Sequence, residues 1–275
     1  MKRFLPTVLL CALLCAAVLH AAVPRTFTLP VSTDGGATLT AFLPEQPSGR
    51  ALLAFPGGGY RQTSIGNNAQ WAPFYNERGI AFFILKYRMP EGNPRIPLSD
   101  AEVAMRLIRD SAAVWHVNPS DIGVMGTSAD GHLATTFTAR AEASLRPAFQ
   151  ILFYPVITFG QGCHQGSRDH FLGRDSTNVT LQDFYSSEKQ VSRSTPPAIL
   201  FANEDDRGVP PETNAAAYAR ALRANGRAAE LHIYPEGGHG WTFASPFRYH
   251  DDVVSALSDW LAALPSGQKK DADPA

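Results

Sequence analysis

The sequence predicts an α/β chain: a mostly parallel central sheet covered by helices on both faces and opened by an antiparallel hairpin. Three observations predict it. Short, almost continuous apolar runs recur at residues 51–55, 80–85, 122–125, 149–154 and 198–202, the pattern of strands buried on both faces rather than one. Helix-period segments alternate with several of these runs, and alternation of that kind makes parallel strands joined by crossover helices. Most of the runs also break off in loops rich in Gly, Pro or Asp, which stop a strand and leave its end free to carry chemistry.

Taken in order, residues 26–29 and 37–43 alternate in polarity around Asp34-Gly35-Gly36, which predicts the opening hairpin. The buried run 51–55 ends in Pro56-Gly57-Gly58-Gly59-Tyr60. Three glycines at a strand end free the backbone to turn N–H groups inward. After the run 80–85 and a Pro-rich loop, Ser99-Asp100-Ala101-Glu102 reads as a capping box. Val103, Ala104, Leu107 and Ile108 then share a helical face until Asn118-Pro119. Residues 156–195 are a long polar stretch with little periodicity beyond a short helix near 181–187; an insertion of that length is expected over the sheet edge, walling a pocket. A helix after Pro210-Pro211 closes at Asn225-Gly226, an alternating strand at 230–234 meets a glycine-rich turn, and Val253, Val254, Leu257, Trp260 and Leu261 mark one face of a last helix.

The chain of 275 residues carries 24 Lys and Arg against 25 Asp and Glu. That balance gives no footprint for nucleic acid, and the length suffices for one core without metals or disulfides. Lys2-Arg3, the apolar run 4–19 and the small residues up to Ala22 read as a secretory signal peptide over residues 1–22. A membrane anchor fits less well, because the run is short and interrupted by Pro6. Cys11 and Cys15 would leave with the signal, so Cys163 would be the only mature cysteine and no intramolecular disulfide would form. The expected organisation is a signal over 1–22, a single domain over 23–265 and a disordered polar tail over 266–275, in a periplasmic or secreted protein.

The chemistry centres on Ile122-Gly123-Val124-Met125-Gly126-Thr127-Ser128-Ala129-Asp130-Gly131-His132. It reads as strand, sharp turn and helix, with Ser128 at the turn, its oxygen lifted above the sheet and a helix N-terminus beside it. Asp130 stands where the second glycine of a G-x-S-x-G turn is expected. A serine so placed needs a base, a carboxylate to orient that base, and two backbone N–H groups for the oxyanion. His239, exposed in its glycine-rich turn after the last strand, has the position of a base, whereas His132, one turn into the helix, is better suited to packing or to bonding a neighbouring loop. Glu204, Asp205 and Asp206 are all candidates for the acid, and the residues alone leave that choice open. Ala129 and either Gly58 or Gly59 are the candidate oxyanion donors. Tyr60 and Trp241 flank the oxyanion loop and the base and are candidate surfaces for stacking a sugar or an aromatic acyl group. Cys163, His164, Asp169 and His170 match no metal-ligand spacing, so neither a metal nor another cofactor is expected.

Four segments carry a family resemblance: Pro56-Gly57-Gly58-Gly59-Tyr60; the run from Gly123 through Ser128-Ala129 to Gly131-His132-Leu133-Ala134; Asp206-x-x-Val209-Pro210-Pro211-Glu212; and Leu231-His232-Ile233-Tyr234-Pro235 through Gly238-His239-Gly240. Together they resemble bacterial carbohydrate esterases of the α/β-hydrolase fold, of the acetyl xylan and feruloyl esterase type. The resemblance covers nearly the whole mature chain. It implies Ser128 as nucleophile, His239 as acid–base and Asp206 as its orienter, since the family's acid precedes the x-x-Val-Pro step; Asp205 is the second choice. It also implies removal of acetyl or feruloyl-type groups from an acylated oligo- or polysaccharide such as xylan, with no membrane partner once the signal is gone and the oligomeric state left open. Two other readings stand beside it. A peptidase related to prolyl oligopeptidases shares the order of residues but is disfavoured by the lack of a propeller-sized N-terminal domain. A catalytically weak carbohydrate-binding relative is suggested by Asp130: a carboxylate near the oxyanion would oppose charge build-up and raise the pKa of His239, so that replacing it by glycine would keep or raise kcat.

Overall fold

The computed structural model describes residues 25–265; the expected signal peptide and polar tail lie outside them. Among the described residues eight strands form one sheet: β1 (Thr26–Pro30), β2 (Thr38–Phe42), β3 (Ala51–Phe55), β4 (Ala81–Lys86), β5 (Ile122–Thr127), β6 (Gln150–Phe153), β7 (Ala198–Asn203) and β8 (Ala229–Tyr234). Their spatial order is β1-β2-β4-β3-β5-β6-β7-β8. β1 pairs antiparallel with β2 from Thr26 opposite Phe42 to Pro30 opposite Thr38, and β2 runs antiparallel to β4. Every pairing from β4 to β8 is parallel. This is the α/β architecture and opening hairpin that the sequence predicts.

The apolar runs alternate between two cores, because successive side chains of a strand point to opposite faces. Leu53, Phe83, Val124 and Leu200 face one core, which also takes Met105, Leu133 and Leu222. Their neighbours Leu52, Phe82, Met125 and Ile199 face the other, with Trp71, Tyr75, Leu257 and Trp260. Among the described residues eight α-helices supply the cover: α1 (Ile65–Ala69), α2 (Ala72–Asn76), α3 (Arg95–Asp110), α4 (Ala129–Arg140), α5 (Gln165–Leu172), α6 (Val179–Phe184), α7 (Ala215–Ala224) and α8 (His250–Ala263).

The expected start of α3 is corrected. The helix begins at Arg95, after Pro94, and not at the Ser99 capping box. Pro97 is tolerated because it falls in the first turn, where backbone N–H groups have no partner within the helix. Ser99 instead donates to the Ile96 carbonyl at 2.9 Å, and buried Asp100 pairs with the Arg88 guanidinium at 2.7 Å. The apolar face shifts accordingly: Leu98, Ala101, Ala104, Met105 and Ile108 are buried, while Val103 is exposed. The 156–195 stretch is also more ordered than its lack of periodicity suggests, with α5, α6 and two short 3-10 turns at Gly173–Asp175 and Ser187–Lys189.

The loops that follow β3, β5, β7 and β8 all leave the carboxyl ends of parallel strands and so gather on one edge of the sheet. In open parallel α/β sheets that edge is where ligand sites form.

Candidate active site

Ser128 follows β5 directly and holds φ 56° and ψ −127°, a backbone conformation that L-residues rarely adopt. Its N–H donates to the Phe153 carbonyl at 3.0 Å, and its carbonyl accepts from Val156 N–H at 2.8 Å and Gly131 N–H at 3.0 Å. The first two bonds hold the strained corner against the end of β6 and the residues just after it, and the third closes the corner onto the start of α4. The turn also requires close backbone contact: a Cβ on Gly126 would lie 2.3 Å from the Asp130 carbonyl oxygen, and one on Gly131 would lie 2.3 Å from Pro155 Cβ. The glycine that the crossing needs after the serine is therefore Gly131, not position 130.

Asp130 points elsewhere. It is completely buried in α4 and accepts a hydrogen bond from the Tyr87 hydroxyl. Burial pushes its pKa well above the usual carboxylate range, against the opposing pull of the Tyr87 bond. Tyr60 belongs to the same buried group: its ring is 2% exposed, and its hydroxyl lies 2.9 Å from His132 Nδ1. The expectation that Tyr60 offers a surface to substrate is thus corrected; it follows the glycines with φ 59° and turns inward to tie their loop to α4. His132 Nε2 sits 2.7 Å from the Tyr185 carbonyl oxygen, which can only accept, so Nε2 carries the proton and Nδ1 accepts from Tyr60. Burial depresses the His132 pKa to about 3, so the ring stays neutral.

On the solvent side of the turn, Ser128 Oγ lies 2.6 Å from His239 Nε2, and His239 Nδ1 lies 2.6 Å from Asp206 Oδ2. The Asp206 side chain is 1% exposed, and its other oxygen accepts from Gly208 N–H at 3.0 Å and Val209 N–H at 2.9 Å. The x-x-Val step is thereby a short turn that locks the carboxylate. Asp205 does something else: its two oxygens accept from Gly237 N–H at 3.2 Å and Gly238 N–H at 2.8 Å. These bonds, that to Gly238 first, hold its carboxyl below the usual range. Asn203 donates to the Gly238 carbonyl at 2.6 Å, so the loop that carries His239 is gripped on both its N–H and C=O groups. Tyr154 sets its ring edgewise to His239 at 4.9 Å and donates to the Trp241 carbonyl at 2.6 Å.

The glycine loop is held as firmly. Gly57 N–H donates to Thr127 Oγ1 at 2.9 Å, the Gly58 carbonyl accepts from Arg61 N–H at 3.1 Å, and His170 Nδ1 meets the Gly59 carbonyl oxygen at 3.0 Å. A Cβ on Gly58 would lie 2.0 Å from the Gln62 carbonyl oxygen, so only glycine fits. Gly58 lines the cleft beside Ser128 and Gly59 does not. Ala129 opens α4, where a backbone N–H lacks an intrahelical acceptor.

That cleft has a volume of about 150 Å³, and Trp241, 8% exposed with the Phe247 ring stacked on it at 4.3 Å, is among its lining residues. The 156–195 stretch contributes none of its lining residues. It backs the glycine loop, with buried Phe171 packed 4.8 Å from the Tyr60 ring, and brings His164 within electrostatic reach of His239 and Asp206. The expected wall is supplied by Ser64, Asn67, Asn68 and Trp71, on and around α1. Sequence reasoning missed them, because a five-residue helix shows no periodicity. Trp71 alone gave a signal, as a tryptophan in a polar stretch.

Among the described residues no group of three or more His, Cys, Asp or Glu is arranged to hold a metal ion. His164 caps α5 through Ser167 N–H at 3.2 Å, and Asp169 pairs with Arg168 at 3.2 Å.

A family model described as the α/β hydrolase fold matches residues 52–243. An acetylxylan esterase of Xylanibacter ruminicola is 42% identical over 264 residues, which is 94% of this chain and 55% of that protein. An endo-1,4-β-xylanase B of Butyrivibrio fibrisolvens is 32% identical over 209 residues, covering 70% of this chain and 33% of its own length. The chain therefore spans about half of the first relative and a third of the second. Among solved structures, an acetyl ester-xyloside bifunctional hydrolase from Caldicellulosiruptor lactoaceticus superimposes with a TM-score of 0.80 at 30% identity, over 88% of this chain and 97% of that one.

Proposed function

The chain belongs to the α/β-hydrolase family, and from that premise we propose that it is a serine carboxylic ester hydrolase that removes acetyl groups from xylan-type polysaccharide. The observation that carries the reading is the unbroken relay at 2.6 Å and 2.6 Å from Ser128 Oγ through His239 to buried Asp206.

In this mechanism His239 Nε2 takes the Ser128 hydroxyl proton as Oγ bonds to the ester carbonyl carbon. Asp206 holds the ring in the tautomer that leaves Nε2 free and stabilises the imidazolium that forms. The Gly58 and Ala129 N–H groups bind the tetrahedral oxyanion, and loss of one such donor typically costs about 2.7–4 kcal/mol of transition-state stabilisation. Collapse breaks the bond to the sugar oxygen, which leaves with the proton from His239. Water, deprotonated by His239, then releases acetate from Ser128. The residues fit this chemistry with no metal or cofactor in any step.

The small cleft favours acetyl over a hydroxycinnamoyl group, since about 150 Å³ lies below the roughly 300–1,000 Å³ typical of pockets for larger ligands. The names of the relatives support the same substrate class. The weak-binder reading loses its motive, because the Asp130 carboxyl is completely buried and accepts a hydrogen bond from Tyr87. Lys2-Arg3 and the apolar run that follows support export to the periplasm or medium.

Acetylated xylan, methyl ferulate and 4-nitrophenyl acetate assayed side by side test the proposal, with Ser128→Ala as control. Release of acetate from xylan, little turnover of methyl ferulate and loss of both acetate activities in folded Ser128→Ala are expected. Turnover that survives in Ser128→Ala, or preference for methyl ferulate, would contradict it.

A further inference from the structure

The glycine loop stands between two hollows. Gly58 lines the cleft beside Ser128, whereas Tyr60 and Arg61 line a second, open pocket of about 400 Å³ together with Met89, Glu91, Asp169 and His170. Gly58 and Tyr60 are two residues apart, so their backbones lie within about 7 Å of each other. The cleft takes the acyl group, and the sugar half of the ester therefore leaves the Ser128 turn on another side.

The base marks that side, because His239 hands its proton to the sugar oxygen. His164, the N-cap of α5, lies within electrostatic reach of His239, Asp206 and His170. His170, further along α5, meets the Gly59 carbonyl oxygen at 3.0 Å. The cap and body of α5 thus lead from the base to the second pocket.

The pocket is held in shape by close backbone contacts. Gly92 N–H donates to the His170 carbonyl at 3.1 Å, and a Cβ on Gly173 would lie 2.7 Å from Gly92 Cα, so the loop after β4 is pressed against the end of α5. Glu91 and Tyr60 hold φ of 48° and 59°, conformations that persist only where the surroundings over-determine them. Little ordering entropy is lost when a ligand enters a pocket fixed in this way.

Its chemistry suits neutral hydroxyls. Arg61 and Glu91 are exposed and form no ion pair with the described residues, so one offers donors and the other acceptors. His170 uses Nδ1–H on the Gly59 carbonyl, which leaves Nε2 of the neutral ring as a further acceptor. An anionic ligand would meet both Glu91 and Asp169, and among the described residues no group of three side chains is arranged for a metal ion. Met89 adds apolar surface. Donors and acceptors around an apolar patch match a sugar ring with several hydroxyls.

Resting on the esterase reading above, we infer that this pocket is a subsite for a sugar residue next to the one that carries the ester, which makes the enzyme selective for acetylated chains over isolated acetylated sugars.

The test compares acetylated xylotetraose with a mono-acetylated methyl β-xyloside. The wild-type enzyme is expected to prefer the chain in kcat/KM by about tenfold or more, the worth of one or two net hydrogen bonds. Arg61→Ala and Glu91→Gly, the second chosen because glycine accepts the positive φ, should each lower that ratio and together bring it close to one. A ratio of two substrates cancels general damage to Ser128 and its partners. Equal kcat/KM on the two substrates in the wild type, or an unchanged ratio in the folded double variant, would overturn the subsite while leaving the esterase reading intact. If neither substrate nor 4-nitrophenyl acetate is hydrolysed, the esterase reading fails. The subsite is then judged by calorimetric binding of unacetylated xylotetraose to Ser128→Ala: saturation that the two further substitutions weaken supports it, and saturation that they leave unchanged, or no binding, overturns it.

Discussion

Two constellations of the same residue types flank the turn at Ser128, and they do opposite things. On the open side, His239 is 31% exposed at its side chain and meets a carboxylate at 2.6 Å. On the buried side, His132 has no solvent access and meets a carbonyl oxygen at 2.7 Å and a phenol at 2.9 Å. A histidine with a carboxylate behind it and water at its edge can accept a proton and return it. One sealed among Phe159, Phe171 and Tyr60 cannot charge at neutral pH and acts as a strut between α4 and the glycine loop. The two aspartates divide likewise: Asp206 accepts from His239 and two backbone N–H groups, whereas Asp130 sits beside Tyr87 with one oxygen unpartnered. Environment, not residue type, separates a proton carrier from a brace.

The largest effect that probes this division lies on the open side. Asp206→Asn should lower kcat by about 10⁴-fold, because an amide in its place releases the His239 tautomer. Asp205→Asn touches only the loop that carries the histidine and should lower it by about tenfold or less. Steady-state kinetics of the two variants, with folding checked by circular dichroism, decides the matter, and equal losses would erase the distinction between orienter and clamp.

The buried side should show itself in stability. His132 titrates near 6.5 when unfolded and at about 3 when folded. Between those values the unfolded chain binds the proton and the folded one does not, so this histidine's contribution is fully present above pH 6.5 and declines as pH falls toward 3. Each unit of separation corresponds to about 1.4 kcal/mol. Thermal midpoints measured from pH 7 to pH 4 should therefore fall less steeply for His132→Gln than for the wild type. Parallel curves would mean that the ring is charged or reachable by water in the native state.

The smallest effect concerns Asp130. Because burial favours the neutral form of its carboxyl, Asp130→Asn should leave stability at pH 7 within about 1 kcal/mol and leave the pH–rate profile that reports His239 in place. Asp130→Gly, by contrast, strands the Tyr87 hydroxyl and opens a void, a loss of about 1–3 kcal/mol for the hydroxyl alone. A shifted pH–rate profile in Asp130→Asn would restore the idea that its charge reaches the active site.

What the sequence makes legible here is what local chemistry dictates. Buried strands announce themselves as apolar runs. The turns at Gly57-Gly58-Gly59, Gly126 to Gly131 and Gly237 to Gly240 announce themselves by glycines, and those turns carry Ser128, His239 and the loop donors. The choice between Asp206 and Asp205 is not legible in the residues alone; the family resemblance favours Asp206, and the structure supplies a physical reason, since the Val209 N–H bonds to Asp206. What stays hidden depends on contacts far apart in sequence. Asp130 lies 43 residues from Tyr87, and Tyr60 lies 72 from His132, so no local pattern reveals that Tyr60 faces inward. The Asn68 wall rests on helices too short to show a period, and Ser99 resembles a cap although the pairing of Asp100 with Arg88 ties that turn into a helix already begun.

The central claim, that His239 and Asp206 make Ser128 a nucleophile, is tested most directly by covalent labelling. The native protein treated with an alkyl fluorophosphonate should gain one adduct per chain, which peptide mass spectrometry assigns to Ser128, and labelling should slow steeply in Asp206→Asn. An adduct on another residue, or ester turnover that continues after Ser128 is fully labelled, would contradict the account.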